Sequence, residues 1–193
     1  MNVRVVPRVI VVDHYDSYTY NLVHLIASVT GSLPDVTQHD HLTPDDLGSY
    51  SHVVLSPGPG HPGDPAYFAL GPEVFTQGKP VLGVCLGMQA LVLAYDGVIE
   101  PIAPAHGEVA VVDHDGTSVF AGLPTPLQEV RYHSLAAVRV SAELRVTATA
   151  GAVVMGVAHR ELPLHGVQFH PESILSQHGA EMIRTFLEEA SRP

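Results

Sequence analysis

The chain contains one cysteine, Cys85, in Gly83-Val84-Cys85-Leu86-Gly87, between the apolar run Pro80-Val81-Leu82 and the segment Met88-Gln89-Ala90-Leu91-Val92-Leu93. The pattern reads as a buried strand, a tight turn and a helix. A nucleophile at such an elbow is held in strained backbone geometry, and the turn closes only when the residues two positions to either side are small. Glycine occupies both places. The residue after the nucleophile can then aim its backbone N–H at a developing oxyanion, and the helix N-terminus favours thiolate over thiol. Without these glycines a lone cysteine reads as a small buried hydrophobe. With them, nucleophilic catalysis is the better reading.

A cysteine of ordinary pKa, about 8.5, is only roughly 3 % thiolate at pH 7, so a nucleophile needs a base. Thirteen histidines compete for that role. His170 is the best placed: Leu164-His165-Gly166-Val167-Gln168-Phe169 reads as a strand, and it runs into His170-Pro171-Glu172-Ser173, where the proline stops the ladder. Glu172, two residues on, can hydrogen-bond the imidazole and fix its tautomer, the orienting role that completes a triad. His-Pro-Glu alone would be only a turn. Paired with the cysteine elbow, it becomes specific.

Five segments, in order, give the chain a resemblance to a known family. They are Asp13-His14-Tyr15-Asp16-Ser17-Tyr18-Thr19-Tyr20-Asn21-Leu22, Ser56-Pro57-Gly58-Pro59-Gly60, the elbow from Gly83 to Gln89, Arg131-Tyr132-His133-Ser134-Leu135, and Gly166-Val167-Gln168-Phe169-His170-Pro171-Glu172-Ser173. Together they resemble the class I (triad-type) glutamine amidotransferases, in the branch that serves chorismate-using synthases, from about residue 8 to 187. The resemblance implies hydrolysis of L-glutamine. Cys85 would attack the side-chain amide, His170 would act as general base and acid, and Glu172 would orient it. Gly58, Pro59 and Gly60 match the loop whose backbone holds glutamine and, with the N–H of Leu86, forms the oxyanion hole. Gln89 matches a residue that hydrogen-bonds the substrate, while Ser134 and Leu135 match a segment whose backbone reads its amino-acid end. Read without the resemblance, these last three are an ordinary helix residue and an ordinary strand end.

The resemblance further implies a heterodimer, in which ammonia passes to a chorismate-binding synthase subunit, because this short chain offers no second active site for an acceptor. Aminodeoxychorismate synthase, of the 4-aminobenzoate and folate-type pathway, is favoured by Asp115-Gly116-Thr117, Phe120-Ala121-Gly122-Leu123-Pro124, and Ile174 followed by His178-Gly179. Anthranilate synthase, of the tryptophan pathway, is the alternative. A catalytically idle scaffold and a stand-alone cysteine hydrolase of another small amide are weaker readings. No cofactor is expected in this chain, whereas the partner synthase is expected to use Mg2+. The chain also departs from the family pattern: Met88 stands where the elbow usually has histidine, His14 and Tyr18 replace asparagine and phenylalanine, and Glu108 stands where many anthranilate-type members carry lysine. The segment holding His14 and Tyr18 lies near the synthase interface in relatives, so these two changes bear on partner choice.

The elements that must position these residues are those of an α/β protein. At 193 residues the chain is expected to be a single domain over 1–193, able to bury about 70 % of its unfolded surface in one core. The apolar fraction of 46 % and mean hydropathy of +0.18 suit strands buried on both faces of a parallel sheet. Val9 to Val12 reads as a strand, and Thr19 to Val29 as a helix with Leu22, Val23, Leu25, Ile26 and Val29 at helical spacing. A strand near Val36 to His39, a short helix from Pro44, the strand His52 to Leu55, a helix over Ala66 to Phe75 and the strand Pro80 to Val84 follow. This alternation predicts a doubly wound, mostly parallel sheet with the site at the strands' carboxyl ends, flavodoxin-like as the family implies. From Val98 to Phe169, short valine-rich runs between Gly, Pro and Asp predict appended antiparallel ribbons. Gly179 to Ala190 closes the chain as an amphipathic helix with Met182, Ile183, Phe186 and Leu187 inward.

Charge and composition exclude several alternatives. A net charge of −11 and a single lysine, Lys79, disfavour nucleic acid as a partner. No Gly-Lys-Ser/Thr loop is present for phosphate transfer. His39-Asp40-His41 is the densest ligand-like cluster, but on a strand its members would point to opposite faces, so no metal site is expected. The longest apolar stretch, Val81 to Tyr95, is 15 residues and interrupted, too short to cross a bilayer. Val9 to Val12 is too short for a signal sequence, and one cysteine forbids an internal disulfide. The expectation is a cytoplasmic protein without membrane contact.

Overall fold

In the computed structural model, which describes residues 7–189, the valine-rich runs form strands and the periodic segments between them form helices. The first half runs β1 (Val9–Asp13), α1 (Thr19–Thr30), β2 (Asp35–Gln38), a 3-10 turn at Pro44–Ser49, β3 (His52–Leu55), a second at Pro72–Thr76, β4 (Val81–Val84) and α2 (Leu86–Ala94). The second half runs β5 (Val98–Pro101), β6 (Glu108–His114), a 3-10 turn at Ser118–Phe120, β7 (Leu127–Arg131), β8 (Leu135–Arg139), β9 (Leu144–Ala150), β10 (Val153–His159), β11 (Leu164–Val167) and α3 (Gly179–Leu187).

One nine-stranded sheet has the order β2-β1-β3-β4-β11-β10-β9-β6-β7. Its pairings from β2 through β11 are parallel, and those from β11 through β7 are antiparallel. The antiparallel strands therefore extend the parallel sheet directly, while β5 and β8 form a separate antiparallel pair. Successive side chains on a strand point to opposite faces. Val9 and Val11 accordingly join α1 and α3 in one core, with Leu22, Ile26, Ile183 and Phe186. Ile10 and Val12 join the other, with Leu47, Phe75 and the α2 residues Met88 and Leu91. Strands buried on both faces account for the high apolar fraction.

Three expectations require correction. Ala66 to Phe75 is not an α-helix; only Pro72–Thr76 winds, as a 3-10 turn, because Gly71 (φ 64°, ψ −173°) breaks the chain and Pro72 restarts it with a fixed φ. His39-Asp40-His41 lies past the end of β2 in a turn, not on a strand, and the His39 ring turns inward to accept the Ala69 N–H at 3.1 Å. Among the described residues no group of three or more His, Cys, Asp or Glu side chains could hold a metal ion. Finally, α3 ends at Leu187, and Ala190 lies outside the described residues. Its Met182, Ile183 and Phe186 are buried, with Leu187 partly so. Among the described residues no helix is long and apolar enough to cross a membrane.

Candidate active site

The site grows from β4 and β11, which are hydrogen-bonded parallel neighbours with Val84 opposite Val167. The ladder continues one step further, the Cys85 N–H donating to the Val167 carbonyl at 2.8 Å. Both chains then leave the sheet at the same carboxyl edge, where α/β sheets place their sites. Cys85 turns sharply, with φ 53° and ψ −100°, a conformation that costs a non-glycine residue about 1–3 kcal/mol and persists only where its surroundings enforce it. The enforcement is close backbone packing. A Cβ on Gly83 would lie 2.4 Å from the Gly87 carbonyl carbon, and one on Gly87 would lie 2.7 Å from the Cβ of Leu55. Cys85 caps α2, so the Leu86 N–H belongs to the first helical turn and lies outside the intrahelical ladder.

His170 follows β11 and meets Glu172 through Nδ1 and Oε1 at 2.7 Å, with both side chains buried. Burial disfavours the charged ring, but hydrogen bonding to the Cys85 sulfur and to Glu172, with the negative charge of both, overrides it. The His170 pKa rises to about 10. His170 is therefore drawn toward its imidazolium form, and its ring is held from behind by Glu172. The edges of Tyr18 and Tyr132 wall the ring at centroid distances of 5.5 and 5.1 Å. The His170 N–H donates to the Val130 carbonyl at 3.0 Å and the Val130 N–H donates to Ser176 Oγ at 3.1 Å, fastening this segment to β7, while the Ser176 hydroxyl donates to the His170 carbonyl at 2.6 Å.

The Gly58-Pro59-Gly60 loop lies against the elbow. A Cβ on Gly58 would come within 2.6 Å of both the His14 Cβ and the Leu86 Cδ2. Gly60 adopts φ +74° with the Tyr67 ring across it, so no side chain fits there. His14 itself is 1 % exposed, donates its backbone N–H to Ser56 Oγ at 2.9 Å, and stacks on Phe68 and His39. Burial, with His39 beside it, lowers its pKa to about 3. The His14 ring is therefore buried against Phe68 and His39 and does not reach the surface. Met88 is likewise fully buried, packed against Gly166 of β11.

Gln89 and Leu135 meet, the Gln89 Nε2 donating to the Leu135 carbonyl at 3.0 Å, while Ser134 is exposed beside them. The same Nε2 donates to Gln168 Oε1 at 3.1 Å, and Gln168 Nε2 donates to the Cys85 sulfur at 3.6 Å. Reading the sequence for site residues misses Gln168. Its one signal is a polar residue following directly on the buried strand β11. Also missed is the support behind Leu135: Arg131 Nε donates to His133 Nε2 at 3.1 Å, and His133 Nδ1 pairs with the Leu135 carbonyl at 2.9 Å. Burial outweighs the hydrogen bond to Leu135 and lowers the His133 pKa to about 4, so this ring is neutral. Glu108, the departure from lysine, holds Arg131 at 3.7 Å.

A cysteine at a strained elbow, a histidine leaving the neighbouring strand at the same edge and a buried carboxylate hydrogen-bonded to its ring form an arrangement suited to cysteine-dependent acyl transfer. The chain matches the family model of the class-I glutamine amidotransferases over residues 10–190, and it belongs to that family. It is 46 % identical over 190 residues to an aminodeoxychorismate synthase of Streptomyces griseus, covering 96 % of this chain and 26 % of the relative. The chain thus spans about a quarter of that relative's length. It is 43 % identical over 194 residues to anthranilate synthase component 2 of Thermus thermophilus, covering 96 % of this chain and 94 % of the relative. A crystal structure assigned to a GMP synthase component of Thermoplasma acidophilum shares the fold, with a TM-score of 0.85 at 20 % identity over 95 % of this chain and 93 % of that one.

Proposed function

We propose that the chain is the glutaminase subunit of a chorismate-using synthase, hydrolysing L-glutamine to glutamate and delivering ammonia to a chorismate-binding partner. The observation that carries this reading is a cysteine at a strained elbow whose next residue opens a helix, beside the paired strand end from which a His170 ring held by Glu172 at 2.7 Å emerges. The Cys85 thiolate attacks the carbonyl carbon of the substrate's side-chain amide. The oxyanion that forms faces the Leu86 N–H and the backbone of Gly58, Pro59 and Gly60. The His170 imidazolium protonates the leaving nitrogen, ammonia departs and a thioester remains. The ring, now neutral, takes a proton from water, which attacks the thioester and releases glutamate and the thiolate. Gln89, Ser134 and Leu135 seat the amino-acid end of glutamine.

Production of 4-amino-4-deoxychorismate is favoured over anthranilate. Glu108 supports this branch: it is engaged with Arg131 behind the glutamine seat, where a lysine would repel the guanidinium. The relative from Thermus, similar to this chain along nearly its whole length, keeps the anthranilate branch as the second reading. The test is glutamate release by the purified chain, alone and with each candidate chorismate-binding synthase, with Cys85→Ala as control. Release stimulated by the aminodeoxychorismate partner and abolished by the substitution is expected. Release that survives Cys85→Ala would remove the nucleophile assignment, and no release with any partner would leave the scaffold reading.

A further inference from the structure

The amide groups beside Cys85 can be oriented from groups whose role is fixed. Arg131 is an obligate donor, so the His133 Nε2 that receives its Nε–H at 3.1 Å is an acceptor. A neutral ring with Nε2 accepting carries its proton on Nδ1, which donates to the Leu135 carbonyl at 2.9 Å. That carbonyl is an obligate acceptor, so the Gln89 atom 3.0 Å away is the nitrogen of its amide. The same nitrogen lies 3.1 Å from Gln168, which must therefore present its oxygen to Gln89. The Gln168 NH2 group is left facing the Cys85 sulfur at 3.6 Å, an ordinary separation for an N–H donor to the larger sulfur atom. Gln168 is fully buried, and its backbone is pinned by an N–H bond to the Met155 carbonyl at 2.9 Å.

We propose that Gln168 is a positioning residue that donates a hydrogen bond to the Cys85 sulfur, at one end of a hydrogen-bonded series in which Gln89 donates to Gln168 and both Gln89 and His133 donate to the Leu135 carbonyl. A donor aimed at sulfur favours thiolate over thiol, adding to the effect of His170. The series also ties the Leu135 backbone to the nucleophile through two side-chain amides, so occupancy of the one bears on the other. This inference rests on Cys85 being the nucleophile of the proposed reaction.

The single cysteine makes the test direct, because any thiol alkylation reports Cys85 alone. The rate of iodoacetamide modification of the full chain is measured against pH for the natural protein, Gln168→Met and Gln168→Glu. Methionine keeps the length and removes the donor. The expected result is a reactivity midpoint raised by about one pH unit, which is a roughly tenfold slower reaction below the midpoint. Glutamate, bringing a negative charge to the sulfur, raises it further. A cooperative melt in either variant shows that it folds, and a folded variant whose profile superimposes on that of the natural protein would overturn the proposal. The glutaminase reading is scored apart from this: a midpoint shift without glutamate release by the natural protein in the presence of any candidate partner would remove that reading and keep the hydrogen bond, whereas release without a shift would do the reverse.

Discussion

A proton on His170 separates two kinds of chemistry at the same sulfur. Alkylation of Cys85 needs only the thiolate, whereas in the proposed reaction expulsion of ammonia also needs the imidazolium as acid. His170 has its pKa raised to about 10. Glutamate release is therefore expected to fall as pH rises through about 10 while alkylation does not. Parallel pH profiles of the two reactions check this, and a common decline would show that the ring does not serve as the acid. Glu172→Gln keeps the side-chain shape but removes the charge that stabilises the imidazolium, so kcat for release is expected to drop about 100-fold or more with KM little changed. At this scale the sequence is most informative where chemistry is local: the glycines around Cys85 and the His170-Pro171-Glu172 spacing announce themselves. Gln168 does not, because its role comes from a partner on another strand, 83 positions away at Cys85; Arg131 and His133 are close to Leu135 in sequence, but nothing in their residue types says that their side chains turn back onto its carbonyl.

The elbow works because two backbone segments touch at Gly83 and Gly87. Gly83→Ala would drive a Cβ to 2.4 Å from the Gly87 backbone, and relieving that contact must shift the elbow. The expected effect is a loss of about 1–3 kcal/mol in stability, together with glutamate release reduced far beyond what the stability change explains. Gly48→Ala, with nothing within 4 Å of the new methyl, is the control expected to leave both unchanged. Thermal melts and initial rates on the three proteins decide it. Element types in the parallel half are legible because a buried strand followed by a periodic helix repeats there. The stretch from Ala66 to Phe75 misleads because its apolar spacing is helical while Gly71-Pro72 forbids a continuous helix. The valine-rich second half suggests ribbons, but alternation within a strand carries no information about its neighbour. Only the structure shows β10 and β9 continuing the same sheet.

At the scale of the whole molecule, one buried acid ties stability to pH. Glu129, on β7, is wholly buried with neither carboxyl oxygen hydrogen-bonded, and burial raises its pKa from an ordinary 4.5 to about 8. The unfolded chain ionises this group above pH 4.5 and the folded chain resists doing so until about 8. The penalty is thus absent below the lower value and grows as pH rises to the higher one, reaching on the order of 4 kcal/mol. Glu129→Gln is expected to raise Tm by several degrees at about pH 8 and hardly at all at about pH 5, as melts of both proteins would show. A shift equal at the two pH values would mean that Glu129 is ionised in the fold. The seam of the sheet has a different consequence. Cys85 and His170 leave two strands that are hydrogen-bonded to each other up to Cys85 itself, so their separation is tied to the inter-strand repeat and not to a hinge. An allosteric activator consequently has little scope to work by drawing the Cys85 and His170 segments together. What it can reshape is the lining of the site: the Gly58–Gly60 loop, and the segment after Glu172 where Ile174 stands 97 % exposed.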